Sequence, residues 1–444
     1  MADHAISNDP AVQAQLDRLT MLSPGRDVLG LERITALLER LGNPHNSLPP
    51  VFHVAGTNGK GSTCAFLRSA IEAAGLTTHV YSSPHLVRFN ERIRVAGKLI
   101  DDITLAALLS EVLDHAEGLE ASFFEVTTAV AFLAFARTPA DACIVEVGLG
   151  GRLDATNVIA APAVCGIASL GIDHEGFLLA PEEGTPNAPL DRIAFEKAGI
   201  AKSGVPMVCQ KYASSMLVEI AKQAMAVGAF LLDRSEAWDA VVYEGRLHYR
   251  DNTGKLSLPL PRMTGAHQAD NAALAVAMLR HQAAITVPEA ALSAAMEWTR
   301  WPARMHLLGP GPLTDLLPEG SQVWLDGGHN PDAGAAIAKT LESGPPVDVI
   351  IGMLKNKDAP GFLTPFVHKI ASLHAVPIPG HDHHDPEDLC QLVRSSLNIT
   401  DVDTSGNVAT SLSQLAAADP TNVLICGSLY LAGEILRLNE EVPT

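Results

Sequence analysis

The stretch Val51-Phe52-His53-Val54-Ala55-Gly56-Thr57-Asn58-Gly59-Lys60-Gly61-Ser62-Thr63 decides the fold. Its first five residues are mostly apolar and read as a short buried strand. Gly56, Gly59 and Gly61 then break the chain three times. From Ser62 onward, Cys64, Ala65, Leu67 and Ile71 fall at helical spacing, with Gly75 as a C-terminal stop. Strand, glycine loop, lysine, serine and helix is the layout of a phosphate cradle. Backbone N–H groups and a helix N-terminus face the anion, Lys60 supplies a cation for the β- and γ-phosphates, and the Ser62 hydroxyl serves Mg²⁺. The alternative on residues alone is a glycine-rich turn after a core strand. The usual earlier glycine is missing, and Gly61 separates Lys60 from Ser62.

Working outward, residues 10–41 read as two helical pieces broken by Ser23-Pro24-Gly25-Arg26-Asp27. Downstream of the cradle helix, Thr78-His79-Val80-Tyr81 is a strand that runs into Ser82-Ser83-Pro84. Helices over 102–117 and 122–137 precede an apolar strand, 142–147, interrupted only by Glu146. A glycine-rich stretch, Gly148 to Asn157, follows, and then a strand over 163–170 ending at Asp173-His174. Strands alternating with helices imply an α/β fold with a mainly parallel, P-loop-type sheet flanked by helices, and ligands bind at the carboxyl ends of such strands. The segment 176–189 is rich in Pro, Gly and Glu and reads as a surface loop or lid without chemistry. Residues 190–200 form a helix, 205–209 a strand, 237–259 a β-meander, and 267–280 and 288–299 two more helices. A domain boundary falls near Trp301-Pro302, giving domains 1–300 and 301–444. Strand patterns at 323–325, 347–351, 373–376 and 423–426 make the second a smaller, Rossmann-like α/β domain.

The 444 residues can bury two or three cores, and 47% hydrophobic against 18% charged content excludes a disordered chain. No apolar run near Met1 resembles a signal peptide, and none is long enough for a membrane span. Six scattered cysteines without a CxxC pair fit free thiols in a cytoplasmic protein. The net charge of −19 disfavours a nucleic-acid partner and requires positive charge to be concentrated wherever anions bind.

Glu146 is the most informative single residue. A carboxylate inside an apolar strand is expensive without a cation, so a metal ligand is the better reading. Ser83 and His174 end neighbouring strands and could converge on the same ion, although turn chemistry and a satisfied loop histidine explain them equally well. Lys197, near Asp191, Arg192 and Glu196, reads by itself as half of a salt bridge on a solvated face. His381-Asp382-His383-His384-Asp385 invites a metal reading, but the segment lies in a proline-bounded loop remote from the cradle. Asp326-Gly327-Gly328-His329-Asn330-Pro331 ends a strand of the second domain at a ligand-facing position, where a helix cap would also explain Asn330.

Together these motifs resemble the folylpolyglutamate synthase family of the Mur-ligase superfamily. The resemblance runs in family order through Ala55–Ser62, Ser82-Ser83-Pro84-His85-Leu86, Glu146–Asn157, Asp173-His174, Glu196-Lys197-Ala198-Gly199-Ile200, Trp301-Pro302-Ala303-Arg304, Asp326–Pro331 and Gly427-Ser428. It covers nearly the whole chain. Departures are small: Ala303 stands where the family often has Gly, Gly328 where it often has Ala, and the segment before Lys197 is longer than usual.

The resemblance implies roles by position. Asn58, Gly59, Lys60, Gly61 and Ser62 would cradle ATP, with Asn271, Arg304 and Asp326 as further ATP contacts. Ser62, Ser83, Glu146, His174 and Lys197, the last as a carbamate, would hold two Mg²⁺ ions. Lys60, His174 and Lys197 would be the catalytic residues. Leu22, Ser23, Pro24, Gly25, Ser122, Phe123, Phe124, Glu125, Leu153, Asp154 and Ala155 match a pterin-side pocket, and His329 and Ser428 are candidates for the incoming L-glutamate. The implied reaction phosphorylates dihydropteroate, or the γ-carboxylate of a reduced folate, from ATP. Glutamate's amine then attacks the acyl phosphate. A monomer without nucleic-acid or membrane partners is expected. The competing readings are a ligase limited to polyglutamylation or acting on another acid, and a non-catalytic nucleotide-binding module.

Overall fold

Val51–Ala55 (β1) is buried along its whole length, as its apolar run demands when neighbours pair on both edges. In the computed structural model, which describes residues 5–22, 29–416 and 420–444, β1 lies near the middle of an eight-stranded sheet. The other strands are Thr78–Tyr81 (β2), Ile93–Val95 (β3), Lys98–Leu99 (β4), Ala142–Glu146 (β5), Val164–Ile167 (β6), Pro206–Cys209 (β7) and Phe230–Asp233 (β8). Their order is β4-β3-β2-β5-β1-β6-β7-β8. All pairings are parallel except those of β3 with β2 and β4, so the sheet is mainly parallel.

The chain divides into two compact units, one of residues 1–262 with 268–299, the other of 263–267 with 300–444. In the first, helix Phe123–Arg137 is buried over nearly all of its length and packs with Leu105, Leu109, Val112 and Phe89 on one side of the sheet. Farther across the same face of the sheet, Cys165, Ile167 and Met207 pack with Ala194, Ala198, Met216 and Ile220. Trp238–Tyr243 (β9), Arg246–Asp251 (β10) and Gly254–Pro259 (β11) form the antiparallel meander. Asp251 ties it to helix Ala266–Arg280 through paired bonds to Arg280 at 2.6 and 2.8 Å.

The second unit holds a six-stranded sheet of His306–Leu307 (β12), Gln322–Leu325 (β13), Val347–Ile351 (β14), Ile370–Ala375 (β15), Val402–Thr404 (β16) and Asn422–Cys426 (β17), ordered β12-β13-β17-β14-β15-β16. Only the β12–β13 pair is antiparallel, which makes this a Rossmann-like parallel sheet. Among the described residues, no helix is long and apolar enough to cross a membrane.

Candidate active site

Parallel strands bring their carboxyl ends to one edge, and that edge collects the motifs of the first unit. Val54 of β1 lies opposite Glu146 of β5, and Ala55 opposite Ile167 of β6. The glycine loop therefore leaves the sheet between Glu146 and the segment leading to His174. Thr57 joins that segment directly. Its N–H donates to Ser169 O at 2.7 Å, its hydroxyl donates to Gly171 O at 2.8 Å, and the same oxygen accepts from Gly171 N at 3.1 Å.

Gly59 starts helix Lys60–Ala73 with φ +82°, and a Cβ there would lie 2.4 Å from Asn271 Oδ1, so only glycine allows both the turn and this approach. The cradle is thereby fixed beside Asn271, whose amide donates to Gln268 Oε1 at 3.1 Å. Lys60 Nζ donates to Gly56 O at 3.1 Å and Thr57 O at 3.2 Å, curling back over the loop. Ser62 is buried one turn into the helix. Glu146 is also buried, and Ser83 N donates to its Oε2 at 3.3 Å. Burial pushes the nearby Cys64 thiol far up, with Glu146 adding to the shift and Lys60 opposing it, so both charges act within this one edge. His174 takes a left-handed φ of +53° ahead of a short helix, and its N–H donates to Asp173 Oδ1 at 2.8 Å.

Lys197 departs from the solvated-face reading. It is buried, its ammonium reaches Gly150 O at 3.5 Å, and burial followed by the Lys60 charge lowers its pKa to about 7. The salt bridges of its helix belong to Arg192 and Glu196. Sequence spacing misses this because residues 148–152 fold onto the helix from outside, with Arg152 N donating to Glu196 O at 2.7 Å.

Two of the pterin-side candidates, Phe124 and Asp154, meet that same turn. Gly148 has room for no side chain, since a Cβ would lie 2.3 Å from the Phe124 ring. Ser122 and Glu125 form a reciprocal capping box on the helix that begins at Phe123, and Arg33 pairs with Glu125 at 3.0 Å. Asp154 is buried. Its carboxylate accepts from Leu149 N at 2.8 Å, Thr156 N at 3.0 Å and the Thr156 hydroxyl at 2.5 Å, yet burial still raises its pKa. Ala155 and Phe123 are buried, and Leu153 is half-buried. Leu22 ends the first helix; Ser23, Pro24 and Gly25 lie outside the described residues.

His53 was not singled out from sequence, because a lone histidine in an apolar strand looks like core. Its Nε2 lies 2.8 Å from Thr156 Oγ1. That hydroxyl donates to Asp154, so His53 must donate, which fixes the Nε2–H tautomer.

In the second unit, Asp326 accepts from Met305 N and Gly328 N, each at 2.7 Å, tying the Arg304 segment to the loop that follows β13. Arg304 Nη1 donates to Ala303 O at 2.9 Å. Gly427 N donates to Gly328 O at 3.1 Å, so the loops bearing His329 and Ser428 lie side by side. His329 Nδ1 donates to Gly327 O, and Ser428 and Asn330 cap the helices that follow them. No cluster of three His, Cys, Asp or Glu side chains with metal-binding geometry occurs among the described residues. The His381–Asp385 segment is structural instead: His381 stacks on Tyr430, His384 Nε2 bonds Lys357 O, and Asp385 caps a helix.

A phosphate-type loop at the edge of a parallel sheet, followed by a Rossmann-like unit, defines an α/β protein of the P-loop type. Comparison with known proteins makes the family specific. Residues 313–438 match the family model described as dihydrofolate synthetase, C-terminal domain. The chain is 33% identical over 414 residues to the Escherichia coli dihydrofolate synthase/folylpolyglutamate synthase, covering 92% of this chain and 91% of that protein. The solved E. coli FolC complex with DHPP and ADP superposes with a TM-score of 0.83 at 31% identity, over 98% of each chain. A bifunctional folylpolyglutamate synthase/dihydrofolate synthase solved with Mn, AMPPNP and L-glutamate bound gives 0.81 at 29% identity, over 97% of this chain and 99% of that one. The chain belongs to the dihydrofolate synthase/folylpolyglutamate synthase family.

Proposed function

We propose that the protein ligates L-glutamate to dihydropteroate, forming dihydrofolate, and to the γ-carboxyl of folates, with ATP converted to ADP and phosphate. Family membership over nearly the full chain supports this reading, together with relatives solved bearing ADP, AMPPNP and L-glutamate. The structural observation that carries it is the single edge at which the Gly56–Ser62 loop, Glu146 and the buried Lys197 meet.

The chemistry follows from charge. A carboxylate repels an incoming amine's lone pair and has no leaving group. Phosphoryl transfer from ATP turns one carboxylate oxygen into the bridge of an acyl phosphate, and attack by glutamate's amine then expels phosphate. Lys60, at the start of its helix, holds the β- and γ-phosphates together with the backbone N–H groups of residues 59–62. Asn58 and Asn271 border that loop and are assigned to ATP, as are Arg304 and Asp326 of the second unit. Leu22–Gly25, Ser122–Glu125 and Leu153–Ala155 are assigned to the pterin side, and His329 and Ser428 to glutamate.

A divalent ion fits the first edge. Ser62, Ser83, Glu146 and His174 offer two hydroxyls, a carboxylate and an imidazole, a mainly hard-oxygen set of the kind Mg²⁺ takes alongside phosphate oxygens. Two Mg²⁺ are proposed, and when bound they neutralise phosphate charge. Lys197, with its pKa held near 7, has a large neutral amine fraction at neutral pH, and only the neutral amine can add CO₂ to become a carbamate. The six cysteines are all free and buried, which suits a cytoplasmic protein; a monomer is proposed.

The test is phosphate release with components omitted one at a time. The reading requires release when ATP and glutamate are joined by either dihydropteroate or a folate, and none when ATP, the acceptor or glutamate is left out. No release under any combination would leave a nucleotide-binding module. Release with folate and glutamate but never with dihydropteroate would leave polyglutamylation only.

A further inference from the structure

The 176–189 segment plays no part in the chemistry above, yet it carries Glu182 into an ion quartet. Glu182 Oε2 accepts from Arg152 Nη2 at 2.6 Å and from Arg192 Nη2 at 2.8 Å. On the other side Glu196 Oε1 accepts from both guanidinium groups, each at 3.0 Å. The two guanidinium carbons also sit 5.3 and 5.8 Å from the centre of the Phe195 ring, which helps to hold the fork in place. The two glutamates are not equivalent. The Glu196 side chain is 4% exposed and is a fixed member, whereas that of Glu182 is 44% exposed, on a loop open to solvent. An ion pair with one partner so exposed is weak and exchangeable.

The location gives the fork a purpose. Arg152 follows the turn whose Gly150 O receives Lys197 Nζ, and it precedes Leu153–Ala155 on the pterin side. Arg192 shares its helix with Lys197. The fork therefore adjoins, along the chain, both the residues assigned to the pterin and Lys197, the lysine assigned above to Mg²⁺. Dihydropteroate has one carboxylate, the one that reacts. A folate bearing a glutamate has two: the γ-carboxylate reacts, and the α-carboxylate beside it needs a cation in a chain of net charge −19.

We propose that Arg152 and Arg192 form a binding fork for the α-carboxylate of a folate's glutamyl tail, and that Glu182 is an internal carboxylate occupying it when the substrate lacks one. Exchange of one carboxylate for another leaves two guanidinium groups facing two anions, so charge stays balanced, and paired N–H···O bonds suit either occupant. The loop thus tunes the enzyme between its two acceptor substrates. This inference rests on the proposed function.

The experiment measures KM for dihydropteroate, dihydrofolate and L-glutamate in the full-length protein and in Glu182→Gln and Arg192→Gln, with dihydrofolate binding followed by titration calorimetry. Removing the internal competitor in Glu182→Gln lowers the dihydrofolate KM, relative to that for dihydropteroate, by about fivefold. Arg192→Gln raises the same ratio by about tenfold. The glutamate KM moves less than about twofold in both. Equal shifts for the two acceptors, or none, would make Glu182 a loop latch only and overturn the proposal. A shift in glutamate KM would assign the fork to the incoming amino acid and overturn it too. Glu182 is on the surface, so its variant folds even if the buried Arg192 variant does not. A parent protein inactive with dihydropteroate would instead refute the functional reading, and calorimetry still reads the fork in that case.

Discussion

Replacing Lys60 with alanine separates folding from chemistry. The ammonium is half-buried and donates to two carbonyls of its own loop, at 3.1 and 3.2 Å. Losing two bonds from a partly solvated cation costs about 1–2 kcal/mol, and alanine's better helix propensity returns about 0.3 kcal/mol. In a unit of this size the net loss lowers Tm by about 2–6 °C. Turnover depends on the same ammonium very differently, because transferred charge builds up on the phosphoryl oxygens while the carbonyl contacts are lost to the substrate. Removing a preorganised charge at that point costs about 4 kcal/mol, a fall of about a thousandfold in kcat. Differential scanning fluorimetry reads the first quantity, and ATP-dependent phosphate release with dihydropteroate and glutamate reads the second. A variant that retains turnover within tenfold of the parent would refute the role. So would one whose activity disappears only because Tm collapses.

Thr57→Val removes both side-chain bonds to Gly171 and loosens the cradle from the His174 segment; the expected result is an ATP KM raised by about tenfold with Tm down a few degrees, and an unchanged ATP KM would show that the clamp is not needed. Ser122→Ala breaks the capping box beside Phe124 and costs about 1 kcal/mol of stability, with the dihydropteroate KM rising while the ATP KM stays put; equal rises in both would argue against a pterin-side role. His53 gives a pH signature. Burial, with Lys202 adding to it, holds its pKa at about 3, below the ordinary 6.5. The unfolded chain therefore takes up a proton that the folded one refuses. Stability is complete above pH 6.5 and falls as pH drops from 6.5 towards 3, by about 1.4 kcal/mol per unit. Urea midpoints for the parent and His53→Gln should converge across that window; parallel pH slopes would contradict the assignment.

How much of this was legible in the sequence depends on the range of the interaction. The cradle could be read because strand, glycines, lysine and helix are consecutive. Glu146 could be read because a carboxylate stands out in an apolar run. Phe230–Asp233 and Val402–Thr404 were not recognised as strands: each is short and partly exposed at a sheet edge, so neither carries a clean apolar period. Lys197 was misjudged because its helix is rich in charge, and only the fold of residues 148–152 over it removes water. The Arg152–Glu182–Arg192–Glu196 quartet was invisible for a similar reason, since its members are up to 44 residues apart and look like ordinary surface charge. His53 was passed over because the Thr156 hydroxyl that partners its ring is 103 residues away.

The central claim is that an acceptor carboxylate is activated by phosphorylation at the edge of the first sheet. Dihydropteroate labelled with ¹⁸O in its carboxylate tests it directly, by mass spectrometry of the phosphate released in the presence of ATP and glutamate. The account predicts one labelled oxygen in each phosphate formed. Phosphate without label, produced while dihydrofolate accumulates, would contradict it.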